Sequence, residues 1–297
     1  MNEKTLNKKV RGLVKLFLVA SREVRESVLS FDTFSIIEKE RILRELDECL
    51  RRLTDKSDSW YESNLRSAYR LGSHDVMEYL QRIGVKNIIY TQEDYDTVSQ
   101  LVDRSKKFTH EAISGVKRNT SRVLDDFTIK RIQQIISKQG TEIGTLKELK
   151  GELLDYMKEK GVTIKDSAGR NWKLDRYADM VARTDMMNSY NQGVVNQILH
   201  RGGDLAYITE YSGCRCEICQ EWEGKIVSIS GKDERYPSLE DAYAEGMFHP
   251  NCKHRLRPFH EEFEEKKEND IFGDLYETQM KGLESSGYQR KYMEHKR

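Results

Sequence analysis

Residues 91–138 read TQEDYDTVSQLVDRSKKFTHEAISGVKRNTSRVLDDFTIKRIQQIISK, a stretch without proline in a chain of 297 residues. Thr91 and Asp94 have the spacing of a capping box, which marks the start of a helix. Apolar side chains then recur at helical spacing for about ten turns: Val98, Leu101, Phe108, Ala112, Val116, Val123, Phe127, Ile132 and Ile136. Because such a stripe is typical of a helix-packing seam, this stretch predicts one long helix with a buried face.

The same stretch carries a local excess of positive charge. Between residues 100 and 138 there are nine Lys or Arg and four Asp or Glu, although the whole chain has a net charge of zero. Such an excess would suit contact with DNA or with an acidic partner. A solvated helix face is the favoured interpretation, because charge runs on helices usually face water.

Helical patterns extend in both directions from this stretch. Upstream, Leu43, Leu46, Leu50 and Leu53 follow 3-4-3 spacing, and a second helix is predicted from Asp58 to Arg82, ended by Gly84. Downstream, helices are predicted at Leu146–Lys158 and Leu174–Arg201, separated by a turn-rich segment from Gly161 to Asn171. The 34% charged residues and only three prolines are typical of a helical, highly solvated and elongated protein. No apolar run approaches the roughly 20 residues of a membrane span, so we expect no membrane partner.

Two clusters of zinc-type donors follow the predicted helices. The first is Cys214-Arg-Cys216-Glu-Ile-Cys219, and the second is His249-Pro-Asn-Cys252-Lys-His254. Thiolate sulfur and imidazole nitrogen are the ligands that Zn²⁺ prefers, and four of them in a tetrahedron form a closed structural site. We expect a structural Zn²⁺ held by Cys216, Cys219, Cys252 and His254, with His249 as the alternative histidine and Cys214 outside the set.

Three other interpretations of the cysteines remain open. A disulfide would need an oxidising compartment, whereas an odd number of cysteines, here five, suits a reducing cytoplasm. A redox-active Cys216-x-x-Cys219 would normally be surrounded by a βαβ pattern, which is absent from the sequence. Free thiols are the third possibility. Ligand type and spacing favour zinc over all three.

The residues around the clusters predict a small α+β unit. Short strands are expected at 207–211 and 225–229, followed by a helix from Ser238 to Ala244. Ser238 and Asp241 have capping-box spacing, and Gly246 would end this helix. A unit of this size buries too little core to be stable alone, so a metal ion is a reasonable staple.

These features give a fold prediction with four regions. The fold is expected to be mainly α, with an elongated N-terminal helical region and a small C-terminal α+β zinc-stapled module. The N-terminal region covers residues 1–138, and residues 139–204 form a connector with a helix that packs on the module. The module itself covers residues 205–260. Residues 261–297 begin with six acids and two bases up to Asp270, and they are expected to form an exposed helix or a mobile tail.

A series of short motifs resembles the phage minor capsid protein family, the head morphogenesis proteins related to the MuF group. The resemblance covers roughly residues 100–258. Each motif is weak alone, but their order is specific: WKLDRYADMVART at 172–184, CEIC at 216–219, WEG at 222–224, VSISG at 227–231, YPSL at 236–239 and GMFHPNCKH at 246–254. Related sequences often end the last motif in Cys where this chain has His254, and a shared zinc ligand would tolerate that exchange, which favours His254 over His249.

The resemblance implies a structural function in a tailed phage or prophage. Its members associate with the portal protein and other head proteins, and they support head assembly or DNA delivery. It therefore implies a location in the virion, in the head near the portal, and in the bacterial cytoplasm during assembly. Packaged DNA is a further candidate partner, and no small-molecule substrate is expected.

Two enzymatic interpretations compete with a structural one. A zinc-knuckle HNH-like nuclease could use His249, Asn251 and His254, but that chemistry needs a catalytic metal with open coordination. Here the three residues lie within six positions, and protein donors would saturate the zinc. An ADP-ribosyltransferase would need more than Arg183-Thr184, and the Glu-x-Glu at 262–264 lies in a charge run. We therefore expect no enzymatic activity.

One charged pair is left with two interpretations. Arg183 and Asp185 lie in the mostly apolar pattern of the helix predicted at residues 174–201. They could face solvent or pair locally, as surface ions usually do for little gain. Alternatively, Arg183 could anchor the helix against the zinc module.

Overall fold

The computed structural model describes residues 3–30, 36–81, 90–137, 146–157, 162–166, 169–211 and 213–261. Within these ranges the chain forms seven helices and five short strands. The helices are α1 (Glu3–Leu29), α2 (Ile36–Gln81), α3 (Gln92–Ser137), α4 (Leu146–Tyr156), α5 (Leu174–His200), α6 (Glu217–Trp222) and α7 (Leu239–Ala244). The strands are β1 (Thr163–Lys165), β2 (Asn171–Lys173), β3 (Leu205–Ile208), β4 (Ile226–Ser228) and β5 (Leu256–Pro258). The mainly helical prediction is confirmed.

Four long helices form the body of the molecule. The 46 residues of α2 and of α3 each correspond to a rod of roughly 70 Å. The helix α5 packs against α1, α2 and α3, and a single apolar core continues from α1 to β5. Most of the described apolar side chains on the inner faces of the long helices are therefore buried within the chain. None of the described helices is long and apolar enough to cross a membrane.

The helix α2 is continuous where the sequence suggested two helices. The polar segment between Leu53 and Asp58 stays helical because it contains neither proline nor glycine. Its end at Gln81 agrees with the prediction, whereas Gly84 lies outside the described residues.

The helix α3 confirms the long helix predicted for residues 91–138, but its buried face differs in part from the predicted one. Val98, Val116, Val123 and Phe127 are buried as expected, whereas Phe108 is half exposed beneath the guanidinium of Arg104. The polar residues Ser105, Thr109 and Thr120 are buried on this face. A pattern of apolar residues cannot identify buried polar positions. The sequence therefore assigned Phe108 to the buried face by mistake. The side chains of Ile132 and Ile136 lie outside the described residues.

A pair of glycines sets the contact between α2 and α5. A Cβ atom on Gly72 would lie 2.0 Å from the Tyr190 carbonyl oxygen, and one on Gly193 would lie 2.2 Å from the Tyr69 carbonyl oxygen. The two backbones can approach this closely only because both positions lack a side chain. We call Gly72 and Gly193 together the glycine notch. Sequence reasoning did not identify it.

A buried polar cluster fixes the first turn of α3 to α2 and α5. The backbone N–H of Thr91 donates to Asp94 Oδ2 at 2.8 Å, which confirms the predicted capping box. The Tyr69 hydroxyl also donates to Asp94, and His200 Nε2 lies 3.0 Å from the same carboxylate. Burial opposes ionisation of Asp94, but the hydrogen bonds from Thr91 and Tyr69 outweigh it and lower the pKa of the carboxyl.

The C-terminal module contains a three-stranded antiparallel sheet in the order β4-β3-β5. The strands β3 and β5 contact α5, so the sheet rests on the helical body. The strand predicted at 225–229 is found as β4, the strand predicted at 207–211 lies earlier, at 205–208, as β3, and the sequence missed β5. The capping box of Ser238 and Asp241 is confirmed, and Gly246 follows the helix with a φ of +98°.

The segment between α4 and α5 contains regular structure that the sequence did not suggest. The strands β1 and β2 pair as an antiparallel hairpin within the predicted turn-rich segment. Asp166 holds this hairpin because its carboxylate accepts from Trp172 Nε1 at 2.9 Å and from Arg170 Nε at 2.7 Å. These bonds lower the pKa of Asp166 to about 2.

Candidate metal centre

Six potential donors from the two sequence clusters converge beside the sheet. Cys216 is the N-cap residue of α6, and Cys219 lies in the first turn of that helix. Cys252 and His254 lie on the segment that leads from α7 into β5. The sequence predicted a knuckle-like turn for the C-x-x-C, whereas the structure places it at the start of a helix. One helical turn separates the two cysteines, so both thiols can reach one point.

The distances among the buried donors suit a single metal ion. The Sγ atoms of Cys219 and Cys252 are 3.9 Å apart, and Cys252 Sγ lies 3.2 Å from His254 Nδ1. Two thiolates on one tetrahedral zinc lie about 3.8 Å apart, given Zn–S bonds of about 2.3 Å. All five cysteines are free thiols in the structure. A disulfide between Cys219 and Cys252 would need the sulfurs at about 2.05 Å.

Glu223 orients His254 for metal binding. Its Oε1 atom lies 2.6 Å from His254 Nε2 and also accepts from the backbone N–H of Tyr211 at 3.1 Å. A carboxylate on Nε2 holds the proton there and leaves Nδ1, the atom that faces Cys252, free to coordinate a metal. Sequence reasoning did not assign this function to Glu223, although the residue is part of the WEG motif at 222–224.

His249 reaches the cluster from its exposed side. One ligand atom each from Cys216, Cys219 and His249 lies within 4.8 Å of the others. The Nδ1 atom of His249 lies 2.8 Å from the Pro250 carbonyl oxygen. Donation of Nδ1–H to this oxygen would leave Nε2 as a free acceptor. The structure therefore brings both histidines of the second cluster to the cysteines.

Cys214, which was expected to lie outside the ligand set, lies in the same cluster. Its sulfur, the sulfur of Cys219 and a nitrogen of His254 lie within 4.8 Å of one another. Cys219 belongs to this group as well as to the group with Cys216 and His249, so it is the common centre of both. The chain thus presents more donors than one tetrahedral ion needs.

The buried thiols carry an electrostatic cost when they ionise together. Burial, followed by the neighbouring Cys252, raises the pKa of the Cys219 thiol well above its usual value. Burial also raises the pKa of Cys252. A divalent cation at the centre of the cluster would offset this repulsion, because metal binding displaces thiol protons.

The loop that carries Cys252 is fixed to the helical body. Phe248 and Asn251 both have positive φ angles, 59° and 67°, so the chain turns sharply on each side of His249-Pro250. The backbone N–H of Asn251 donates to Thr184 Oγ1 at 3.1 Å, and the N–H of Leu256 donates to Asn191 Oδ1 at 3.0 Å. Two side chains of α5 therefore position the second donor cluster.

Arg183 does not make the contact with the module that the sequence allowed. Its Nε donates to Asp179 Oδ2 at 2.9 Å, and its Nη1 donates to Asn7 Oδ1 at 2.6 Å. The local pairing is confirmed, and the longer contact joins α5 to α1. The neighbouring Thr184 is the residue that contacts the module.

Asp185, the other half of that charged pair, faces α3. Burial raises the pKa of its carboxyl to about 6, while a hydrogen bond from Ser105 and the nearby Arg104 favour the ionised form and limit the shift. The carboxyl also raises the pKa of two buried tyrosines, Tyr61 and Tyr177, whose own burial is the larger cause.

Two lysines and one histidine of α3 are paired with acids of α2. Lys106 lies 2.6 Å from Glu62, and Lys117 lies 2.8 Å from Asp47. His110 lies 2.8 Å from Asp58. The solvated face favoured from the sequence is thus in part an interface between helices, because these cations bridge to α2.

Two of the three residues of the nuclease interpretation, Asn251 and His254, are held in other contacts. His254 is buried between Cys252 and Glu223, and the backbone of Asn251 is bonded to Thr184. A general base must be able to reach a substrate, which a histidine enclosed in this way cannot do. Nothing in the described part of the chain favours nuclease chemistry.

Comparisons with known proteins support the resemblance in the sequence. The family model described as "Phage minor capsid protein 2" matches residues 44–295. Neither the curated proteins nor the solved structures contain a significant match. The match extends from α2 through the donor clusters and beyond the described residues. Because it covers most of the 297 residues, the chain belongs to the phage minor capsid protein family.

Proposed function

We propose that this minor capsid protein is a MuF-like structural component of the phage head that associates with the portal protein and the head interior. It would support head assembly or DNA delivery. In this proposal the protein resides in the virion near the portal and passes through the bacterial cytoplasm during assembly. The observation that carries the proposal is the family match over residues 44–295.

The architecture is compatible with a structural function. Two helices of roughly 70 Å provide a long surface for neighbouring head proteins, and the compact module rests on one side of α5. Three cavities in the described part of the chain are open surface hollows lined largely by charged and polar side chains. Small-molecule sites are usually enclosed and mostly apolar, so these hollows do not favour a small-molecule substrate.

The proposed cofactor is one structural Zn²⁺ bound by Cys216, Cys219, Cys252 and His254. Cys219, Cys252 and His254 have the support of short mutual distances and, for His254, of the Glu223 contact. Cys216 is placed in the set because it belongs to the C-x-x-C and lies in the same helical turn as Cys219. Its competitor for the fourth position is Cys214, and His249 is the alternative histidine.

A structural site fits these residues better than a catalytic one. Cys219, Cys252 and His254 are buried. Enough protein donors lie nearby to fill all four positions of a tetrahedral ion, so no position is reserved for water. Catalytic zinc sites keep such an open position for water or substrate. The ion would therefore connect α6 to the segment before β5.

Metal analysis tests the zinc proposal directly. Protein purified without added zinc should contain close to one equivalent of zinc per chain, and Cys219→Ser should lose it because Cys219 is common to both donor groups. Cys49→Ala is the matched control, because Cys49 is a buried thiol of α2 outside the cluster. A metal-free wild-type protein, or equal zinc loss in the control, would contradict the proposal.

Single-ligand variants identify the fourth donor and the histidine. Zinc affinity should fall strongly in Cys216→Ser and His254→Ala, and it should change much less in Cys214→Ser and His249→Ala. The reverse order would assign the ligand role to Cys214 instead of Cys216, or to His249 instead of His254. The zinc site itself would remain.

The structural function is tested in particles. Mass spectrometry of purified virions from the phage or prophage that encodes this chain should detect the protein. Heads assembled without it should yield fewer infectious particles. Its absence from both procapsids and virions would contradict a function as a head component.

A further inference from the structure

A groove lined by α2 and by Tyr90 ahead of α3 carries positive charge that is not paired within the described residues. Its volume is about 550 Å³, and its lining includes Arg66, Ser67 and Arg70 of α2 and Tyr90 ahead of α3. Lys9 of α1 reaches it as well, because its ammonium donates to Ser67 Oγ at 2.8 Å. We call Lys9, Arg66 and Arg70, with Ser67 and Tyr90 between them, the basic groove.

Ion pairing separates the basic groove from the two lysines of α3 that bridge to α2. In the described part of the chain, Lys9, Arg66 and Arg70 form no ion pair with a carboxylate, whereas Lys106 and Lys117 are bonded to acids of α2. The one carboxylate of the lining, Glu62, is already neutralised by Lys106 at 2.6 Å. The groove thus presents positive charge with room for an external anion.

The spacing of the two arginines suits a repeating anion. Arg66 and Arg70 are exposed residues one helical turn apart, so their side chains leave the same face of α2 at about 6 Å spacing. A guanidinium group presents a planar fork of donors that matches phosphate oxygens. Tyr90 is 38% exposed beside Arg70, and its side chain shares a hydrogen bond with Ser73, so it lines the groove without being a free donor.

The types of side chain that line the groove favour a phosphate-rich partner over a protein. Leu71 is the one aliphatic side chain in its described lining. Protein interfaces are usually held by a buried apolar or aromatic centre, whereas nucleic-acid backbones are bound mainly by cations and polar donors. We infer that the basic groove binds the phosphate backbone of duplex DNA without reading its sequence.

The extent of the surface is limited at one end. His74 lies one turn after Arg70, but its imidazole is close to the carboxylates of Asp75 and Glu78. These acids would repel a phosphate chain, so the contact should be centred on Arg66 and Arg70. The groove shares no residue with the metal centre, so loss of DNA binding would leave the zinc and head-component proposals standing.

Fluorescence anisotropy of a labelled DNA duplex with the full-length protein tests the inference. The wild-type protein should bind at low salt and weaken steeply as salt increases, because binding releases counterions. Arg66→Gln/Arg70→Gln should bind about tenfold more weakly and reduce the salt slope by about two, since two phosphate contacts are lost. Both side chains are exposed, and thermal melting should show that this variant remains folded.

A charge-matched control separates this surface from general attraction. Lys107→Gln/Arg118→Gln removes two exposed charges of α3 that lie outside the basic groove and should change the affinity by less than about twofold. Absence of wild-type binding, or an equal loss in the control, would overturn the inference. Displacement of DNA by polyglutamate at equal charge concentration would do so too, because it would identify a carboxylate-rich protein as the better ligand.

Discussion

The helical body and the C-terminal module are stabilised by different means. In the body, α5 is enclosed by α1, α2 and α3, and a glycine notch allows α2 and α5 to touch through their backbones. In the module, strands of three or four residues surround a cluster of thiols and imidazoles. Apolar packing holds the body along its length and continues into the module, where we propose that a metal ion bound by a few donors adds a cross-link. Substitutions in the body and removal of metal from the module should therefore destabilise different parts of the chain.

Gly193→Ala should produce the largest loss of stability in the body. The new Cβ atom would lie 2.2 Å from the Tyr69 carbonyl oxygen, so α2 and α5 would have to separate. We expect a loss of about 3 kcal/mol or more in the free energy of unfolding, measured by chemical denaturation.

Gly151→Ala is the control for this effect. Position 151 lies on α4 with no heavy atom within 4 Å of a new Cβ, so alanine should be neutral or stabilise by up to about 1 kcal/mol. Equal stability of the Gly193 and Gly151 variants would mean that the notch does not hold the body together.

Asp185→Asn should have a smaller effect of opposite sign. Asp185 has a pKa of about 6 in the folded protein, against about 4 in an unfolded chain. The folded state therefore binds more protons between pH 4 and 6, and the free energy of unfolding should decrease as pH rises through this window. The variant should remove this dependence and be more stable at pH 7 by about 1–3 kcal/mol.

Asp179→Asn provides the comparison for Asp185. Asp179 lies on the same helix but forms a partly exposed pair with Arg183, so its replacement should cost no more than about 0.5 kcal/mol. Melting curves from pH 4 to 7 measure both variants. An unchanged pH slope in Asp185→Asn would show that this carboxyl does not resist ionisation in the fold.

The sequence predicted the regular parts of both regions. Helical periodicity identified α3 and α5, and the capping pairs at Thr91 and Ser238 located two helix starts. Donor spacing identified the residues that the structure brings together in the module. These features are local, because propensity, capping and ligand spacing act over a few residues.

Long-range features were not predictable in the same way. The pairing of Gly72 with Gly193 and the burial of Ser105 depend on which helices meet, and periodicity carries no such information. The contact of Glu223 with His254 joins positions 31 residues apart. Cys214 joins the cluster through the path of the loop, which residue spacing alone does not determine.

Hydrogen exchange with and without a zinc chelator tests the contrast between the two regions most directly. Removal of the metal should accelerate amide exchange in β3, β4, β5 and α6 by at least about tenfold, because the proposed ion would join α6 to the segment before β5. Protection in α1, α2, α3 and α5 should stay unchanged, since apolar packing holds these helices. Unchanged exchange in the module, or loss of protection throughout the body, would contradict the account.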